Sequence, residues 1–180
     1  MIEPLNSSVI LVTGVMAAGK STVAQALAER LPRSVHVRGD AFRRMIVSGR
    51  VDMGSPPEEE ALAQLRLRYR LSTATADGYA DAGWTVVLQD IVIGPELDTY
   101  LPLIRTRPLY VVVLAPDPAT VTTREAARPK TGYGPGFTVE TLDRLLREET
   151  SRVGLWLDTS AQTPEETVTA VLERLTEARV

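Results

Sequence analysis

The sequence predicts a three-layer α/β fold, a parallel β-sheet with helices packed on both faces. Three observations carry this. Five strand-like runs, at residues 8–13, 35–39, 85–89, 109–114 and 154–158, alternate with segments of helical periodicity, as in sheets built from strand–helix–strand units. Thr85-Val86-Val87-Leu88 and Val111-Val112-Val113-Leu114 lack polar alternation, which suits strands buried on both faces. The first run also leads through a glycine-bounded loop into a helix, the strand–loop–helix order of a phosphate-binding unit.

That first unit is the most informative. Ser8-Val9-Ile10-Leu11-Val12-Thr13 is an apolar, β-branched run of buried-strand type. Gly14-Val15-Met16-Ala17-Ala18-Gly19-Lys20-Ser21 then satisfies G-x-x-x-x-G-K-[ST]. The glycines let the backbone curl so that successive N–H groups face phosphate oxygens. Lys20 can reach the β- and γ-phosphates, and the Ser21 hydroxyl can ligate Mg²⁺. Gly14, Ala17, Ala18, Gly19, Lys20, Ser21 and Thr22 are thus the candidate nucleotide contacts. Val23, Ala26, Leu27 and Leu31 follow at helical spacing.

Ligands of open α/β sheets bind beyond the carboxyl ends of the strands. The second strand delivers Asp40 there, either as a general base for an attacking hydroxyl, as a water-linked metal partner, or as the N-cap of a helix over Ala41–Met45. Arg43, Arg44 and Arg66 either flank an acceptor pocket or are simply solvated. Residues 48–57 read as a loop on the acceptor side. A helix is predicted over 57–82, with Leu62, Leu65, Tyr69, Ala76 and Ala80 near one stripe, Glu58-Glu59-Glu60 in its first turn and Gly83 at its end.

The third strand ends at Asp90, a candidate Mg²⁺ partner, acceptor contact or turn residue. After the fourth, Asp117-Pro118 marks a helix start. Arg124 and Arg128, four apart, are expected on one helix face, where one or both touch phosphate or else form a solvated helix end favoured by the helix dipole. A lid is predicted over 124–137, where Lys130 adds a cation and glycine and proline exclude regular structure. Thr138 precedes a stripe of Val139, Leu142, Leu145 and Leu146. Thr159, in the turn after the fifth strand, either contacts the nucleotide base or caps the turn. Thr163-Pro164-Glu165-Glu166 has the capping-box form. His36, the single histidine, reads as a packed strand residue.

The 180 residues suffice for one domain with a sizeable core. No repeat, linker or low-complexity tract divides them. The net charge of −3, with acids and bases interspersed, does not favour a nucleic-acid footprint. The chain has no cysteine, which excludes disulfides and thiolate metal sites. No run approaches transmembrane length, and Met1–Asn6 has no basic leader. The expectation is a soluble cytoplasmic protein with no membrane partner; the residues leave its oligomeric state open.

The chain resembles P-loop kinases of the nucleoside and small-molecule type, and within them the chloramphenicol phosphotransferase-like family. The residues that carry this are Gly14–Thr22, Gly39-Asp40, Gly83–Asp90, Arg124 with Arg128, and Asp158-Thr159-Ser160 before Pro164-Glu165-Glu166. The resemblance implies a P-loop NTPase fold with strand order 2-3-1-4-5. It implies ATP as donor, Mg²⁺ as cofactor, Asp40 activating a hydroxyl of a small-molecule acceptor, and an Arg124/Arg128 lid. An antibiotic acceptor fits this family. The Asp-Gly-Phe-Pro-Arg run of nucleoside monophosphate kinases is absent after the third strand, as is an Asn-Lys-x-Asp guanine signature. The run Arg38–Arg44 is also similar to polynucleotide 5′-kinases, which keeps nucleoside, nucleotide and polynucleotide 5′-end acceptors as an alternative. A non-catalytic ATP-binding regulator is the third reading.

Overall fold

A computed structural model describes residues 5–129, 132–134 and 136–180. Its sheet contains β1 (Val9–Gly14), β2 (Ser34–Arg38), β3 (Thr85–Gln89), β4 (Leu109–Leu114) and β5 (Leu155–Leu157), all parallel and ordered β2-β3-β1-β4-β5. This is the predicted fold, and the strand bounds agree to within a residue or so. β1 and β3 are buried along their whole length, as their apolar runs require. The register pairs Val12 with Gln89 and Gly14 with Leu114. The ends of β3 and β4 therefore flank the start of the phosphate loop.

The helices are α1 (Lys20–Arg30), α2 (Gly39–Arg44), α3 (Glu59–Asp81), α4 (Glu96–Tyr100), α5 (Pro118–Ala126), α6 (Val139–Arg144) and α7 (Pro164–Glu173). Several starts are capped as the sequence predicts. Asp117 Oδ1 accepts the Thr120 N–H at 2.6 Å, and Thr163 and Glu166 form a reciprocal capping box. Gly83 ends the α3 region with a φ of 85°. α3 buries Ala61, Tyr69, Ser72, Thr73, Ala76, Asp77 and Ala80, while Leu62 and Leu65 are half-buried at its margin.

Two local expectations are corrected. α2 begins at Gly39, with Arg38 as N-cap and Asp40 inside the first turn, so Asp40 caps nothing. α5 ends at Ala126, so Arg128 lies in the following turn rather than on a helix face shared with Arg124. No helix among the described residues is long and apolar enough to cross a membrane.

Candidate active site

The phosphate loop is built by backbone strain that its residues tolerate. β1 stops at Gly14, whose φ of 145° suits glycine and whose missing Cβ would lie 2.5 Å from the Leu114 carbonyl oxygen. The chain then passes through left-handed Ala17 (φ 59°) and Gly19 (φ 93°) into α1. No side chain caps α1, which leaves its first N–H groups for an anion. Lys20 is buried, and its Nζ donates to the Val15 carbonyl at 2.5 Å. Burial outweighs the pull of Asp90 and lowers the Lys20 pKa to about 7.

Two arginines from α5 and the turn after it line the same cleft. Arg124 donates through Nη2 to the Thr159 carbonyl at 2.8 Å and through Nη1 to the Ala18 carbonyl at 3.4 Å. It thereby joins the loop to the turn after β5. Arg128 donates to Glu125 Oε2 at 2.8 Å, while Glu125 Oε1 accepts the Gly132 N–H at 2.5 Å. Tyr133 Oη donates to the Met16 carbonyl at 2.8 Å, and a Cβ on Gly132 would meet the Met16 sulfur. The described part of the predicted lid therefore lies on the phosphate loop. Gly136 packs against Ser55, so the lid also meets the 48–57 loop. Lys130 lies outside the described residues.

On the other side of the cleft, α2 places Asp40 with its side chain 45% exposed. Arg44 Nη1 donates to Asp40 Oδ2 at 2.7 Å, and Arg43 pairs with Asp52. Asp90 is different from its sequence expectation. Its side chain is fully buried, with Arg68 Nε donating to Oδ2 at 3.1 Å, Arg68 Nη2 paired with Oδ1, and the Ile91 N–H donating to Oδ1 at 2.7 Å. Gly39 leaves the space, since a Cβ there would collide with the carboxylate. Burial pushes the Asp90 carboxyl up, and Arg68 and Ile91 oppose that rise. The expected direct contacts of Asp90 with metal and acceptor are therefore corrected: Arg68 stands between it and the cleft.

Arg68 was not legible as a site residue by motif. One physical signal points to it: it lies three residues after Leu65 and four before Ser72, at the edge of the buried stripe of α3. A buried carboxylate beyond β3 needs such a cation. Gln89 and Gln162 also line the cleft and were missed. Arg66 is exposed and does not line it.

The resulting cleft holds about 690 Å³, and its walls include Ala17 through Thr22, Asp40, Arg68, Arg124, Arg128 and Thr159. Arg43, Arg44 and Asp90 are not among its lining residues. Thr159 Oγ1 is the single buried side-chain polar atom without a hydrogen-bond partner among the described residues. An orphaned hydroxyl in such a cleft calls for a ligand atom. Together with the uncapped N–H groups and the buried lysine, it shows that these residues fit an anionic nucleotide. Ser21, exposed at the start of α1, is the side chain available to a divalent cation there. No group of three or more His, Cys, Asp or Glu suited to a metal occurs among the described residues.

The fold and this cleft define a P-loop kinase-like protein. Residues 9–150 match the profile of a family described as an AAA domain, and the chain belongs to that family. No curated protein matches the sequence. Among solved structures, a sugar kinase from a Janibacter species is similar, with 20% identity, a TM-score of 0.67 and coverage of 95% of each chain. The tunicamycin resistance protein of Deinococcus radiodurans is 14% identical, with a TM-score of 0.70 over 96% of this chain and 98% of its own. Shikimate kinase of Acinetobacter baumannii, in complex with shikimate, is 18% identical, with a TM-score of 0.61 over 93% and 92%. At these identities the likeness concerns the fold.

Proposed function

We propose that the protein is an ATP-dependent phosphotransferase that moves the γ-phosphate to a hydroxyl of a small molecule. The observation that carries this reading is the convergence of Asp40 on the cleft that also holds Lys20, Arg124 and Arg128. A nucleotide-binding protein without transfer has no need of a half-exposed carboxylate facing its phosphate loop. The similar solved structures named for kinases of small hydroxyl compounds support the same class.

Each side chain has a definite task. Asp40 accepts the proton of the acceptor hydroxyl, and that oxygen attacks the γ-phosphorus as the bond to the β-phosphate oxygen breaks. Lys20, Arg124 and Arg128 balance charge that develops on the transferred group and on the departing ADP. Arg44 holds Asp40 in place. Thr159 offers its hydroxyl to the nucleotide base, and the lid excludes water. Mg²⁺ bound with the nucleotide at Ser21 would neutralise the β- and γ-oxygens. Antibiotic hydroxyls belong to this acceptor class, and the tunicamycin resistance protein of similar fold is a reason to include drugs among the trial acceptors.

The test is transfer of labelled phosphate from ATP to a panel of hydroxyl compounds. Asp40→Asn should lower turnover by about 10²–10⁴-fold, the usual contribution of a general base, while nucleotide affinity stays close to that of the parent. Near-parental turnover in that variant removes Asp40 as the base.

A further inference from the structure

We infer that the acceptor is an uncharged molecule that offers oxygen atoms, rather than one bearing a phosphate or carboxylate. The inference rests on the phosphotransferase reading and names the acceptor class of that same cleft. It follows from how the arginines are paired. Arg68 is the cation on the acceptor wall, and Asp90 neutralises it from behind through two contacts. Arg44 is neutralised by Asp40, and Arg43 by Asp52. Arg38, Arg50 and Arg66 are exposed and off the cleft wall. Among the described residues the wall facing the acceptor thus carries no net positive charge, so an anion placed there would gain no net attraction to offset the loss of its hydration.

The donor side is built in the opposite way. Lys20 and Arg124 are satisfied by backbone carbonyls, and Arg128 alone of the donor-side cations is paired with a carboxylate, Glu125. A carbonyl satisfies a donor without cancelling its charge, so Arg124 stays positive for phosphates and Lys20 is free to regain its proton when they bind. On the acceptor side the remaining groups suit hydrogen bonding. Gln89 Oε1 accepts from His36 Nε2 at 3.2 Å, and Gln89 Nε2 has no protein partner among the described residues. Arg68 Nη1 is likewise uncommitted among them, a donor whose charge is already balanced. Two neutral-field donors beside a carboxylate match hydroxyl and carbonyl oxygens of an uncharged compound.

The experiment uses matched acceptor pairs with labelled ATP: sugars against the corresponding sugar acids, and nucleosides against their 5′-monophosphates. The neutral member of a pair should be phosphorylated with a kcat/KM higher by on the order of tenfold or more. Its KM should change by less than about twofold between roughly 50 and 300 mM salt, because no charge attraction is being screened. Equal or better transfer to the charged members, with a KM that rises steeply with salt, overturns this inference and leaves the phosphotransferase reading standing. Transfer to neither member of any pair overturns both.

Discussion

The two halves of the cleft handle cations in opposite ways. In the donor half, Lys20 and Arg124 are held by carbonyl oxygens, and the bare N-terminus of α1 adds to their field. In the acceptor half, Arg44 and Arg68 are each held by a carboxylate. Arg128 on the donor side is also paired, with Glu125, so the contrast rests on Lys20 and Arg124, which have no carboxylate partner among the described residues. The number of cations near a site therefore says little about the charge of its ligand; what each cation is bonded to says more.

Removing Lys20 should produce the largest effect on this contrast. Lys20→Ala should lower transfer by about 10²–10³-fold, the scale of one preorganised charge donor. Its titration offers a second readout. The folded pKa of about 7 lies below the ordinary 10.5, so the unfolded chain binds the extra proton between those values. This group therefore makes the free protein more stable as pH rises from about 7 toward 10.5, and Lys20→Ala should flatten that rise in denaturant titrations. Bound phosphates restore the charge. Calorimetry near pH 8 in buffers of different ionisation enthalpy should accordingly show proton uptake on nucleotide binding, and none in Lys20→Ala. Uptake that persists in the variant would assign the proton to another group.

A smaller effect is expected where the acceptor half is wedged. Gly39→Ala introduces a Cβ into the Asp90 carboxylate. Overpacking of this kind costs about 1–3 kcal/mol, and it should disturb Arg68 through its partner. Thermal unfolding should fall by several degrees, and acceptor KM should rise, while nucleotide Kd barely moves. An unchanged acceptor KM in a destabilised variant would separate Arg68 from acceptor binding.

The smallest change is expected at Thr159, on the donor side. Its buried hydroxyl has no partner in the free protein, so Thr159→Val should leave stability unchanged or raise it slightly. Nucleotide affinity should fall by roughly five- to tenfold, the worth of one hydrogen bond. A loss of stability with intact affinity would show that the hydroxyl serves the fold.

The sequence made the donor half legible in detail because it is local. Gly14 to Thr22 are contiguous, and the conformations at Gly14 and Gly19 follow from residue type. The strand runs were equally readable, since continuous burial leaves a continuous apolar signature. The acceptor half was legible only as a place. Asp40 and Asp90 were both identified as acids beyond strand ends, yet their fates differ: one lines the cleft, the other is sealed beneath Arg68. Nothing in the residues next to either acid distinguishes them.

By itself, then, the sequence determined the sheet and its phosphate loop and pointed to the region where the proposed acceptor would lie, because strand periodicity and loop chemistry act over a few neighbouring residues. Only the tertiary structure decided which charges survive in the cleft. Arg68 meets Asp90 across 22 positions, Arg124 meets Thr159 across 35, and Tyr133 meets Met16 across 117. Electrostatic pairing depends on distance in space, and α3, α5 and the segment bearing Tyr133 bring their partners to the cleft only when they pack on the finished sheet.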